Sequence, residues 1–430
     1  YPYGVDTVIP QKYEGMDNKN PEELLEQLKA LVPDEHKQFA ENLLQEAGVP
    51  KADVSNGPDG GLLGWTEATA RPQIEEALKR KNVKLIANAL GTPPVDIIKK
   101  IQDKGILIGA LCGKIKQAKA HKEAGLDFII AQGGEGGMEY AMMTLVTGGR
   151  AFDGLFGVTC HELAHSWFQH VLATNETKHE WMDEGFTTFI STLAENDILE
   201  ENKDFPMEGR YRSYYNLALS GKEMPQSTNA NRYEYNYAYE TTAYNKGAVF
   251  LSQLGYIIGR ENLFKTLQEY FNEWKFKHPR PNDFRRIAER VSGIQLQWYL
   301  TDWTQTTNVI DYRIEKVSEG SGKTEIVLNR KGLMPMPLEI LVKYNDGQYD
   351  IIYIPISLMR GEKNNPYNIT WKVKPDWFWS NPFYSFHLEK SMDEIEAIII
   401  DPSNLMADID KTNNYYLPKM KKFEDKELEK

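Results

Sequence analysis

The stretch CHELAHSWFQH (160–170) sets His161 and His165 four residues apart, with Glu162 directly after the first. On a helix, side chains four apart share one face, roughly 5–6 Å from each other. Both imidazoles can therefore reach a single metal ion at about 2.0–2.1 Å. Glu162, one residue round, then lies beside the ion rather than on it, placed to take a proton from a bound water. Alone, the pattern is short enough to arise by chance on a surface helix. Its surroundings favour the chemistry. Val158, Thr159, Leu163 and Ala164 make an uncharged flank suited to burial, and WMDEGF supplies another carboxylate, Glu184, 19 positions after His165. That interval accommodates the end of the first helix, a loop over 174–179 and a second helix that returns Glu184 alongside. Two imidazoles and one carboxylate leave a fourth position open for water or substrate, as a catalytic zinc requires and a structural zinc does not. One Zn2+ per chain is the expected content.

The elements that must hold these side chains change character along the sequence. Up to about residue 137, apolar runs alternate with helical spacing. VKLIANAL (83–90), ILIGALCG (106–113) and DFIIAQGG (127–134) read as buried strands, with DIIKKIQDKG (96–105) and KIKQAKAHKEAG (114–125) as the intervening helices. Continuous apolar strands separated by helices imply βαβ units and a parallel sheet. From Phe152 to about Trp303 the signals are mostly helical, with Asn282-Asp283 marking one helix start. From Tyr312 short runs broken by turns take over: DYRIEKV, TEIVLNR, PLEILVKY, a hairpin turn at Asn345-Asp346-Gly347, then YDIIYIPI, ITWKVK and IEAIIID. The fold class expected is therefore multidomain α+β. It has consecutive βα units at 1–135, a mostly α-helical domain at 136–310, a small antiparallel β-sandwich at 311–416 and a charged tail at 417–430.

Composition sets the bounds. A chain of 430 residues is long for one core. The net charge, 50 − 62 = −12, argues against nucleic acid as a partner. No apolar run approaches the length of a transmembrane segment. Two cysteines, Cys112 and Cys160, make no disulfide framework, and Cys160 reads as a small helix-packing residue. The first residue is Tyr1, with no basic-then-apolar leader after it, as expected of a processed chain or a fragment.

From residue 136 onward the sequence resembles the gluzincin aminopeptidase family, the group that includes aminopeptidase N. The resemblance rests on His161-Glu162-x-x-His165, the 18 residues before Glu184 in an EGF segment, GGMEY (136–140) and AYNKGAVFL (243–251). It implies a thermolysin-like zinc peptidase domain in which His161, His165 and Glu184 bind zinc and Glu162 is the general base. It implies further that Tyr244 donates its hydroxyl to the tetrahedral oxyanion. Gly136, Gly137 and Glu139 would grip the substrate, Glu139 holding its free α-amine. The partners implied are peptides with a free N-terminus. Tyr140 stands where the family usually has Asn. Tyr233, Tyr235, Tyr237 and Tyr239 read as packing or loop surface, and the following Asn245-Lys246-Gly247 singles out Tyr244. His170 and His179 read as surface residues. The β-rich domain that the resemblance implies ahead of GGMEY is replaced by a different sequence.

That sequence, over 1–137, resembles nitronate monooxygenase, an FMN enzyme on a (β/α)₈ barrel, through GWTEATARPQ, ALGTPP and the AQG turn. The resemblance implies that the βα units at 1–135 are a partial (β/α) barrel. Met138-Glu139 stands where that family carries its catalytic His, and the phosphate-binding strands are not present. FMN is accordingly not expected to bind, and flavin oxidation of nitronates is the alternative activity. The two resemblances meet at a shared Gly-Gly, so 134–138 reads as the seam of a chimera, a real fusion or a joining artefact, that sequencing across codons 125–150 resolves. A chain that never folds as one unit is the third reading. The compartment stays open, since peptidase relatives are often exported or periplasmic and the barrel resembles a cytoplasmic enzyme.

Overall fold

The computed structural model describes residues 3–7, scattered positions between 30 and 45, and 67–89, 91–112, 115–131, 137–140, 143–146, 150–320 and 322–418. The tail from 419, Gly136, and the AQG turn beyond Ala131 lie outside the described residues. The chain divides into two compact units, Tyr1–Glu135 and Gly136–Lys430.

In the first unit, β1 (Tyr3–Thr7), β2 (Val83–Asn88), β3 (Leu107–Cys112) and β4 (Phe128–Ala131) form one sheet, parallel throughout and in chain order. Helices α1 (Glu67–Leu78), α2 (Val95–Gln102) and α3 (Ile115–Glu123) fall between the strands in sequence. In α2, Ile97, Ile98 and Ile101 are buried while Lys99 and Lys100 face water, and the isoleucines join Ile74, Val83, Ile86 and Ile108 in a small apolar core. His121 is enclosed and bonded on both nitrogens, to Thr92 Oγ1 at 2.9 Å and Leu111 O at 3.0 Å, so it is a satisfied core histidine.

The second unit opens with a hairpin, β5 (Gly137–Tyr140) against β6 (Met143–Val146), Glu139 opposite Thr144. Helix α4 (Phe152–His165) continues into a π-helical turn, Ser166–Val171, before the chain reverses into α5 (Glu176–Ile198). The reversal is shorter than the loop expected over 174–179. Asn175 caps α5 by accepting from the Lys178 N–H, and only His179 (φ −139°, ψ 44°) departs from helical geometry. The middle of α5 is buried on every side, from Glu180 to Phe189, which is the behaviour of a central core helix. Around it lie α6 (Glu208–Leu219), α7 (Asn236–Glu240), a second π-helical turn (Thr241–Lys246), α8 (Gly247–Ile258), α9 (Arg260–Trp274), α10 (Pro281–Ser292) and α11 (Gln297–Gln305). Helix α10 starts one residue before the expected Asn282. Pro281 takes the first turn, where a missing N–H costs nothing, and Asp283 closes a capping box on the Arg280 N–H.

The β region pairs β7 (Tyr312–Gly320), β8 (Lys323–Arg330) and, further along the chain, β12 (Phe383–Leu388) in one sheet. The other contains β9 (Leu338–Tyr344), β10 (Tyr349–Ile354), β11 (Thr370–Val373), β13 (Ile395–Ile400) and β14 (Tyr415–Tyr416). The turn between β9 and β10 closes on Gly347 at φ +83°, a conformation that suits glycine. The larger sheet is mixed, contrary to the antiparallel expectation: β10 and β11 run parallel. The 15 residues between them let the chain return before pairing. Helices and sheets share one apolar core, from Trp181 and Phe250 to Ile340 and Ile398. Tyr211 and Tyr256 cross the boundary, donating to Leu405 O and Pro337 O.

Candidate metal centre

Four-residue spacing on α4 aims two imidazoles at one point. His161 Nε2 and His165 Nε2 are 3.1 Å apart. Glu184, delivered by α5, brings Oε2 to 3.0 Å from the first and 3.2 Å from the second. Donors around a tetrahedral ion at roughly 2.0–2.1 Å stand about 3.3 Å from one another. The three lone pairs thus fit the cavity of one small divalent ion, and the set suits zinc.

Burial makes the arrangement electrostatically demanding. Glu184 and His165 are enclosed and His161 is half-buried. Burial pushes the Glu184 carboxyl up, but hydrogen bonds from the two imidazoles outweigh it and hold the group at about 2. His165 is desolvated too, yet the Asp183 and Glu184 carboxylates raise its proton affinity above the ordinary imidazole value. A divalent cation at this point would neutralise the same carboxylates in place of the His165 proton.

Asp183 has no place in the reading from sequence. It sits next to Glu184, and its Oδ1 lies 2.7 Å from His165 Nδ1, with Thr187 Oγ1 at 3.3 Å from the same nitrogen. A carboxylate on the far nitrogen fixes the tautomer that offers Nε2 to a metal. The Asp–Glu dipeptide in WMDEGF was the available signal. Asp183→Asn is expected to weaken zinc affinity about 10- to 100-fold, measured by competition with a chelating dye. Undiminished affinity would remove Asp183 from this role.

Glu162 is buried and points to the same side as the hairpin. One carboxylate oxygen each from Glu139 and Glu162 and a nitrogen of His165 lie within 4.8 Å of one another. Glu139 is half-buried, and burial raises its carboxyl, with Glu184 and Glu176 adding repulsion. Gly137 contributes backbone to β5. Tyr244, in the π-helical turn before α8, donates its hydroxyl to Glu184 Oε1 at 2.7 Å and stacks on His161 at 5.6 Å between centroids. Burial and the Glu184 charge keep that hydroxyl protonated far above its ordinary range.

Two expectations need correction. His170 and His179 are half-buried rather than on the surface. The π-helical turn carries His170 back over the hairpin, where its Nε2 lies 3.0 Å from the Glu139 carbonyl oxygen and ties the hairpin to the histidine helix. The flank of α4 is not buried as a whole: only Ala164 is enclosed, while Thr159 and Leu163 are exposed, Leu163 to 53%. Leu163 lies about 200° round the helix from His161, on the far side. Of the neighbouring tyrosines, Tyr235 and Tyr237 are exposed, and Tyr233 packs edge-on against Tyr239. Cys160 is a half-buried thiol that burial raises.

A histidine pair on one helix and a carboxylate on the next make this segment a candidate metal centre. Residues 145–303 match the family model of the Peptidase family M1 domain. Aminopeptidase M1-A of Oryza sativa subsp. japonica is 27% identical over 172 residues, 39% of this chain and 19% of that protein. The chain is also similar to "Putative monooxygenase Rv1533" of Mycobacterium tuberculosis, 35% identical over 149 residues, 34% of this chain and 39% of that protein. Among solved structures, Legionella pneumophila aminopeptidase A in complex with aspartic acid aligns at a TM-score of 0.43 and 14% identity, over 71% of this chain and 31% of that one. The chain spans less than two fifths of the length of each of these proteins. No helix among the described residues is long and apolar enough to cross a membrane.

Proposed function

We propose that residues 136–430 form a zinc-dependent aminopeptidase that removes N-terminal residues from peptides. The observation that carries the reading is the convergence of His161, His165 and Glu184 on one point, with Glu162 and Glu139 beside it. The Peptidase family M1 match over 145–303 supports it. Zinc held by those three donors would supply Lewis acidity and bring a bound water's pKa near neutrality. Glu162 takes the proton of the attacking water and returns it to the leaving amine. Tyr244, whose hydroxyl stays protonated, donates to the oxygen that gains charge on the scissile carbonyl, exchanging its bond to Glu184 for one to substrate. Glu139 pairs with the α-ammonium, so a blocked N-terminus leaves a half-buried carboxylate without its cation.

The test is hydrolysis of an amino-acid anilide by the full chain. Activity should vanish on chelation, return with one equivalent of zinc, and be absent on the N-acetylated anilide. Turnover that survives complete removal of metal would overturn the proposal.

For residues 1–135 we propose a partial (β/α) barrel related to the monooxygenase-like sequences, joined to the peptidase at the Gly-Gly seam. Four parallel strands paired in chain order support this, because consecutive barrel strands are neighbours whereas a doubly wound sheet reverses its order.

A further inference from the structure

We infer that Lys246, through its ion pair with Glu223, is the positioning residue that holds the Tyr244 hydroxyl in the metal site. The inference rests on the proposed peptidase reading, in which Tyr244 serves the substrate oxygen. Lys246 is 1% exposed, and its ammonium donates to Glu223 Oε1 at 2.7 Å inside the helical core. The rings of Tyr214 and Trp303 lie 5.8 and 5.5 Å from it. A buried pair of this kind adds little net stability, because both charges are desolvated, but a shift of register that separates the partners strands an uncompensated buried charge, which is strongly unfavourable.

Register is what this segment needs. Tyr244 belongs to a π-helical turn, Thr241–Lys246, which holds one residue more per turn than the α-helices before and after it. Relaxation to α-helical pairing would rotate Tyr244 away from Glu184 and His161. Two anchors immediately downstream oppose that slip. Lys246 is fixed by Glu223, and Gly247 lies against the backbone of Gly185 and Trp181. The glycine contact fixes how near the helices approach, whereas the ion pair fixes the rotation of the turn.

The test is a kinetic cycle of Lys246→Met, Tyr244→Phe and the double variant in the zinc-loaded full chain, with zinc content and circular dichroism alongside. Lys246→Met should lower kcat about 10- to 100-fold, the penalty of roughly 1 Å of misplacement, with KM and zinc content held within about 2-fold. In the Tyr244→Phe background the same substitution should cost less than about 2-fold, because the hydroxyl it positions is gone. An equal loss in both backgrounds, or no loss in the parent, overturns the inference. Lys246→Met/Glu223→Leu leaves no unpaired buried charge and should fold while keeping the low kcat; a return to parental kcat also overturns it. A readout independent of activity is 3-fluorotyrosine at position 244. Its single 19F resonance should broaden or split in Lys246→Met, and an unchanged resonance sinks the inference even if the peptidase reading stands. A parent without peptidase activity whose resonance still responds would sink that reading and leave the positioning intact.

Discussion

Glu162→Gln is expected to retain one zinc per chain and to lose about 10²–10⁴-fold in kcat on amino-acid anilides. The substitution is nearly isosteric, and none of the three donors changes: His161 and His165 keep their places on α4, and Glu184 keeps its place on α5. What disappears is a buried group able to accept a proton beside the donors. An amide cannot shuttle that proton, so water attack loses its base while substrate binding persists, and KM should change far less than kcat. Glu139 is the nearest other carboxylate in the same cluster, but it is assigned to the substrate ammonium and cannot serve both roles in one turnover. The check pairs metal analysis with steady-state kinetics on the same preparation. A variant that hydrolyses at the parental rate with full zinc places the base elsewhere, and the role given to Glu162 fails.

Parts of this geometry are legible in the sequence because they are local. Four-residue spacing puts His161 and His165 on one helix face whatever surrounds the helix. Asn345-Asp346-Gly347 names its own turn, and the apolar runs at 83–88, 107–112 and 128–131 mark strands, although Leu107, Ile129 and Ile130 are exposed rather than buried as the runs suggest. What stayed hidden depends on where elements meet. The parallel pairing of β10 with β11 is a property of chain return, not of either strand. FYSFHL gave little signal because only Phe386 and Leu388 of β12 are buried. Leu163 looked like core, although the helix turns it to the opposite side from the histidines. His170 and Asp183 escaped for a related reason. A π-helical turn shifts His170 out of α-helical phase, and the partner of Asp183 lies 18 residues back on another helix. Phe152 at the start of α4 and Trp167 in the π-helical turn after it, at 67% and 47% exposure, likewise belong to a pattern that periodicity alone assigns to a core.

Gly185→Ala is expected to lower both stability and activity, because α5 and α8 touch through bare backbone. A Cβ at position 185 would stand 2.5 Å from Gly247 Cα, 2.7 Å from Gly247 C and 3.0 Å from Ala243 O. A Cβ on Gly247 would meet Gly185 Cα at 2.7 Å and Trp181 O at 3.0 Å. These are main-chain atoms with no rotamer to escape into, so the helices themselves must separate. Overpacking of this kind costs roughly 1–3 kcal/mol, equivalent to a fall in Tm of the order of 5 °C. The same separation carries Glu184, one residue before Gly185, away from Tyr244, three before Gly247, and opens their 2.7 Å bond. Activity should therefore fall even at temperatures where the variant is fully folded. Gly209→Ala is the control. Gly209 lies exposed in α6 with nothing within 4 Å of a new Cβ, so the helix gains about 0.5–1 kcal/mol and Tm holds or rises. Thermal unfolding of the zinc-loaded proteins separates the two cases, since metal bound by the native state raises every Tm alike only where the three donors still converge. If Gly185→Ala matches its parent in Tm and kcat, the two helices do not meet at these glycines, and the link from backbone contact to the Glu184–Tyr244 pair is wrong.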